Sequence, residues 1–256
     1  MTFPRRLFAG LLLAAAALML TPLGTQLATQ PAHAQMSGTE RQAVEEVVRD
    51  YLLENPEIIM EALGVLERRS QERQESRQRE GLSEHRVALE EDPAAPVLGN
   101  PEGDVTLVEF FDYQCGYCKQ VSEPLQTLLR EDPNLRLVMK EFPILGPASL
   151  VAARAALAAQ RQGGYEELHW ALMAHRGQLT EDQILDIAED TGLDIARLRQ
   201  DMNDPTITEQ LRSNHALAEA LEIRGTPAFI VGDRLLPGAV GLDSLRQLIA
   251  EARAES

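Results

Sequence analysis

The chain has 256 residues and a formal charge of −16, and that surplus of acid argues against nucleic acid or an anionic membrane surface as its partner. It is long enough to bury a real core, as one elaborated domain or as a domain with an extension. Only two cysteines are present, which excludes the disulfide-dense class of small exported scaffolds.

The first residues read as an export signal. Arg5 and Arg6 precede Leu7 to Leu20, an uncharged apolar run of fourteen residues, and Ala32-His33-Ala34 supplies the small-x-small pattern that signal peptidase cuts after Ala34. Fourteen residues fall short of the roughly 20 that span a bilayer, so an uncleaved anchor is the weaker reading. Removing residues 1–34 takes away Arg5 and Arg6 and leaves 222 residues with a charge of −18.

Residues 35–91 read as a helical extension. Thr39 is the expected cap of a first helix, whose Val44, Val47, Val48, Tyr51 and Leu52 recur at helical spacing. Pro56 disfavours helix at Asn55 and suits the first turn of a second helix. That helix starts with Ile58, Ile59, Leu63 and Leu66 on one side, then becomes the mixed-charge tract 67–80, expected as a solvated helix supported by i,i+4 pairs. These two stripes must bury against each other, the domain that follows or another chain, and a homo-oligomer formed through residues 39–90 is the expectation.

The stretch 91–104, "EDPAAPVLGNPEGD", is dense in Pro and Gly and predicts a linker or surface entry to a new domain spanning 92–256. Val105 to Phe111 and Leu135 to Phe142 then read as buried strands, separated by a helix over 119–131 with Val121, Leu125, Leu128 and Leu129 on one face. Strand, helix and parallel strand make a βαβ unit. Residues 147–222 read as helices only, with Thr180 and Gln183 at capping-box spacing. The last stretch, 225–252, reads as turn, strand, Gly-Asp turn, strand and helix.

Cys115 and Cys118 sit in "FDYQCGYCKQ", just after a strand and at the start of a helix. A zinc site needs four ligands. Of His85, His169, His175 and His215, none lies within forty residues downstream of Cys115, and His169 and His175 are six apart. A bridge over two intervening residues removes little chain entropy, so a stabilising staple is also the weaker reading. A redox dithiol is the reading that fits. The helix N-terminus favours the thiolate of Cys115, making it the attacking sulfur, with Cys118 one turn further in as the resolving one. No cofactor or metal is called for.

From about Pro96 to Ala252 the chain resembles the DsbA-like thiol–disulfide oxidoreductases of the thioredoxin superfamily, on "EFFDYQCGYCK", "KEFPILGPAS", "RGTPAFIVGD" and the long helical insertion at about 147–222. The resemblance implies an α/β thioredoxin fold with an inserted helical domain, preceded by the all-helical extension. It implies a cis Pro227, with Thr226 and Pro227 beside the sulfurs, and Glu109 as a buried acid under the active site. A buried carboxylate there takes the proton of Cys118 during resolution. On pattern alone, Pro227 also reads as an ordinary turn proline, Glu109 as an edge-strand residue facing water, and Lys140 as a strand-end surface lysine rather than a neighbour of that acid. Trp170 and Met173 read as core of the insertion, and His169, His175 and His215 as satisfied histidines. "VVRDYLLENPEIIMEALGVLERR" is similar to the extension of the suppressor-of-copper-sensitivity C proteins, some of which oligomerise through it.

What the resemblance implies is a periplasmic enzyme that forms or isomerises disulfides in unfolded or misfolded exported proteins and is served by a membrane redox partner. Gly116 and Tyr117 between the cysteines and threonine before Pro227 resemble the isomerase side of the superfamily, whereas the long insertion resembles the oxidase side. Two rival readings use the same pair: a copper-handling or thiol-binding protein, since thiolates suit soft metal ions, and an interaction module in which the pair is a staple.

Overall fold

The computed structural model describes residues 36–255, so the expected signal segment and its cleavage site lie outside the described residues. The described residues divide into two compact units, one running to Ala62 and the other beginning at Leu63. In the first, α1 (Gly38–Glu54) is capped by Ser37 rather than by the expected Thr39. The Glu40 N–H donates to Ser37 Oγ while the Glu40 carboxylate accepts from the Ser37 N–H at 2.9 Å, a reciprocal capping box. Thr39 is already inside the first turn. Asn55 ends the helix, its N–H donating to the Tyr51 carbonyl at 2.9 Å, and α2 (Glu57–Glu84) starts directly after Pro56. No residue of α1 is buried, and Val44, Val47, Val48 and Tyr51 are all exposed.

The second unit is built on a five-stranded sheet of order β1-β3-β2-β4-β5. Its strands are β1 (Val97–Gly99), β2 (Val105–Phe111), β3 (Leu135–Glu141), β4 (Ala228–Val231) and β5 (Arg234–Pro237). β2 and β3 are parallel in the register Val105↔Leu135 to Phe111↔Glu141, and the other pairs are antiparallel. The parallel pair requires a crossover, and α4 (Gly116–Glu131) supplies it.

Side chains alternate across a strand, and the two sheet faces bury different partners. Leu107, Phe111, Leu137 and Met139 pack with α4, with α10 (Leu242–Glu255) and with the inserted helices α5 (Pro147–Gln160), α6 (Tyr165–Ala174), α7 (Glu181–Asp190) and α8 (Ile195–Asp201). Val108, Phe110 and Val138 pack with Leu82 of α2, Leu89 of α3 (Arg86–Glu90) and Leu217 and Leu221 at the end of α9 (Pro205–Ala220). The insertion is centred on α5, which buries Ala152, Ala153, Ala155, Ala156, Ala158 and Ala159. A helix apolar all round is a buried helix, and methyl-sized side chains let its neighbours approach on several sides.

Two sequence expectations change here. Packing into the sheet begins before residue 92, because Leu82 and Leu89, read as part of the extension, are both core residues of the second unit. The expected linker also contains β1, pairing Val97 with Val138 and Leu98 with Leu137. A strand of three residues between Pro96 and the Asn100-Pro101 turn is too short to show the alternation by which strands are recognised.

Candidate active site

Cys115 is the N-cap of α4. N-cap side chains normally accept a backbone N–H two or three residues on, and here the acceptor is sulfur: the Cys118 N–H points at Cys115 Sγ from 3.5 Å. The Cys115 thiol also lies 3.2 Å from the Thr226 carbonyl oxygen, to which it donates. That carbonyl belongs to the Thr226–Pro227 peptide, which is cis. Both thiols are free, with Cys115 6 % exposed and Cys118 1 % exposed. Tyr117 between them is 63 % exposed, and nothing lies within 4 Å of where a side chain on Gly116 would begin, so the turn opens to solvent on one side.

The environment drives the two sulfurs apart in acidity. The hydrogen bond from the Cys118 thiol acts most strongly on Cys115. With it, hydrogen bonds from the Thr226 side chain and from the N–H groups of Cys118 and Tyr117 together outweigh partial burial and bring Cys115 to about 5 from 9.0. Burial drives Cys118 far the other way, reinforced by the hydrogen bond it gives Cys115 and by nearby Glu109. A thiolate facing the opening and a thiol behind it are the two species that thiol–disulfide exchange needs.

Glu109 sits on the central strand β2 and is 1 % exposed, which sets aside the reading of an edge residue facing water. Burial first, and then the negative charge of Cys115, raise its carboxyl to about 8 from 4.5. Its Oε1 is buried and accepts no hydrogen bond. A carboxylic acid in electrostatic reach of both sulfurs, protonated at neutral pH and with one oxygen unengaged, is equipped to exchange a proton with Cys118.

Lys140 corrects another expectation. It is fully buried, with Nζ 2.9 Å from Asp92 Oδ2. Its register partner is Phe110, not Glu109, so it belongs to the opposite sheet face and is no neighbour of that acid.

Several residues that support the site were not singled out from the sequence. The Asp112 carboxylate accepts from the Gln114 N–H at 2.7 Å with one oxygen, and from Ile144 and Leu145 N–H groups at 2.8 and 2.9 Å with the other. It thus holds the loop into Cys115 and the loop into α5 together. The i to i+2 bond is an Asx turn, a motif that an aspartate at a strand end signals. Tyr113 and Tyr165 both donate to Glu141 Oε1 at 3.0 Å, and Tyr113 O meets His169 Nδ1 at 3.0 Å. Burial raises Glu141 well above the usual carboxylate range, against the pull of those two hydroxyls, and lowers His169 to about 3, leaving a neutral ring. His169 is a satisfied core histidine, Met173 is core and His215 is exposed, as read from the sequence. Among the described residues no group of three or more His, Cys, Asp or Glu is placed to hold a metal ion. A soft ion on Cys115 and Cys118 would therefore find no third ligand of those types.

The profile of the DSBA-like thioredoxin domain matches residues 106–250. The chain belongs to that family. The profile of the copper resistance protein ScsC N-terminal domain matches residues 40–73, ahead of the DsbA-like domain. A thioredoxin-like oxidoreductase from Silicibacter pomeroyi is 50% identical over 67% of this chain and 99% of its own, with a TM-score of 0.65. ScsC of Proteus mirabilis in a transitional conformation is 29% identical, covers 86% of this chain and 100% of its own, and has a TM-score of 0.64. Among curated proteins, a Na(+)/H(+) antiporter NhaA 1 of Salinispora arenicola is 34% identical over 160 residues, which are 62% of this chain and 24% of the antiporter. The chain thus spans about a quarter of the length of the first curated relatives it matches.

Proposed function

We propose that this protein is an exported thiol–disulfide oxidoreductase working through Cys115 and Cys118, with Glu109 as proton carrier and Thr226 and Pro227 bordering the reacting sulfur. The observation that carries the reading is the opposed acidity of two sulfurs at one helix N-terminus, one favoured as thiolate by the hydrogen bonds it accepts and the other buried as thiol. Export is inferred from the N-terminal basic, apolar and small-x-small pattern. Clients are unfolded or misfolded exported proteins, and a membrane redox partner restores the active form.

In the oxidising direction a client thiolate attacks Cys115 Sγ of the Cys115–Cys118 disulfide. The client–Cys115 bond forms, the Cys115–Cys118 bond breaks, and Cys118 leaves with the electron pair and takes a proton from Glu109. A second client thiolate then attacks the client sulfur, and Cys115 departs as thiolate. The client loses two electrons and the pair gains them. A leaving group at about 5 departs readily, which favours oxidising power. In the isomerising direction the Cys115 thiolate attacks a client disulfide, and the same mixed disulfide resolves by an internal client thiol.

Isomerisation gains from several active sites on one assembly. The exposed stripe Val44, Val47, Val48 and Tyr51 supports self-association of the N-terminal helices into a dimer or trimer. Reactivation of scrambled ribonuclease in glutathione buffer, run beside oxidation of reduced ribonuclease, tests the reading with and without residues 35–62, a deletion that stops short of the core residues Leu82 and Leu89. We expect both activities in the full chain, loss of both in Cys115→Ser, trapped mixed disulfides in Cys118→Ser, and loss of isomerisation alone on truncation. Full activity of Cys115→Ser would refute the assignment.

A further inference from the structure

A groove of about 530 Å³ is lined by Arg77 and Gln78 of α2, by Arg224 to Pro227 and by Tyr117 from between the two cysteines. The α2 wall is anchored, because Leu82 is buried in one cluster with Leu221. The groove reaches the chemistry directly: Thr226 lines it, and the Thr226 carbonyl is 3.2 Å from Cys115 Sγ. It also reaches β5, the edge of the sheet, whose outer backbone groups have no strand partner. An unpaired sheet edge offers main-chain hydrogen bonds to an extended segment.

The charge of this groove differs from that of the molecule. The chain carries 40 acidic and 24 basic residues, yet the groove lining holds Arg77 and Arg224 against the single acid Glu222. Arg86, Arg161, Arg234, Arg246 and Arg253 of the same unit are each engaged by carboxylates. Neither Arg77 nor Arg224 enters an ion pair among the described residues, and both are exposed. On the other flank of α4, Lys119, one turn after Cys115, donates to the His175 carbonyl at 2.7 Å next to Arg176. The sulfur therefore sits between two basic borders on an acidic protein.

We propose that the groove takes an extended segment of the client protein with carboxylates flanking its cysteine, and that Arg77 and Arg224 select it. This rests on the oxidoreductase reading and adds the class of segment preferred. The α2 wall gives the segment a fixed basic side, the β5 edge gives it backbone partners, and Cys115 meets its sulfur at the Thr226 end.

The test uses the full chain with its Cys115–Cys118 disulfide formed and three short single-cysteine peptides that differ only in glutamate, glutamine or lysine flanks. Each peptide's rate is divided by its rate with a small neutral disulfide, which removes the effect of the flanks on thiol acidity. We expect the glutamate peptide to react about tenfold faster than the glutamine peptide at low salt, the usual lower end of electrostatic steering, and the lead to vanish at high salt. Arg77→Gln with Arg224→Gln should bring the glutamate peptide's rate down to that of the glutamine peptide measured on the same variant. Equal rates for all three peptides in the unsubstituted protein would overturn the proposal, as would a lead that survives the double substitution. Failure of every peptide to reduce the disulfide would instead overturn the oxidoreductase reading itself.

Discussion

The two faces of the central sheet both bury ionisable groups and treat them in opposite ways. On the face shared with α2, α3 and α9, Lys140 meets Asp92 at 2.9 Å and its charge is answered by a charge. On the face shared with α4 and the insertion, Glu109 and Glu141 are buried with no cation bonded to either, and both are raised above the ordinary carboxylate range by burial. The difference teaches what each face is for. An ion pair fixes position, whereas an uncompensated buried acid keeps its proton and has one to lend. The acids lie on the face that holds the cysteines.

The largest effect should come from breaking the ion pair. Asp92→Ala leaves the Lys140 ammonium buried without a partner, and we expect a loss of about 3 kcal/mol in denaturant unfolding at pH 7, somewhat discounted because Asp92 is partly exposed. Lys140→Met in the same chain should restore most of it. An Asp92→Ala protein as stable as the parent would show that this face does not depend on charge pairing.

Glu109→Gln should act with the opposite sign. Folding raises the carboxyl from 4.5 to about 8, so the folded protein binds more protons than the unfolded chain in that window and loses stability as pH rises through it. With the disulfide formed, neither thiol titrates and the Cys115 charge is gone, leaving burial as the cause of a smaller rise; Glu109→Gln should then gain about 2 kcal/mol over the parent at pH 7 and nothing near pH 4. The same substitution should slow the departure of Cys118 from Cys115 as the mixed disulfide with the client forms. Parallel stability curves across pH 4 to 8 would mean that Glu109 is not held protonated.

A smaller change probes the Glu141 cluster. Tyr165→Phe removes one of two hydroxyls donating to Glu141 Oε1, and we expect a loss of about 1 kcal/mol with activity retained. A loss of activity without a loss of stability would place Tyr165 in the chemistry instead.

Much of this was legible in the sequence, and the reasons differ by element. β2, β3 and the crossover helix were readable because long apolar runs and helical spacing are strong signals, and the cysteines because no other pair was available. The boundary of α1 lies at Ser37 rather than the expected Thr39, because it is Ser37 whose hydroxyl and N–H the Glu40 backbone and carboxylate answer, which only geometry shows. β1 was hidden by its brevity. Lys140 was misread because a lysine in a strand reads as exposed until its partner is known, and Asp92 is 48 residues away. Tyr113, Glu141, Tyr165 and His169 lie as far as 56 residues apart in sequence and meet only through the packing of the insertion on the sheet. No local pattern predicts such a meeting.

The central claim is that the fold separates the two thiols into a thiolate and a protected thiol. Ultraviolet absorbance of thiolate, followed against pH in the reduced protein, measures this directly. The account predicts one thiolate appearing with a midpoint near 5, absent in Cys115→Ser and retained in Cys118→Ser at a higher pH, because the hydrogen bond from Cys118 is the leading cause of the lowering. Between the folded midpoint and the unfolded value of 9.0, the reduced protein should also grow more stable relative to Cys115→Ser as pH rises, because there the unfolded chain holds a proton that the folded one has released. A single transition near 9, or a thiolate that persists in Cys115→Ser, would contradict it.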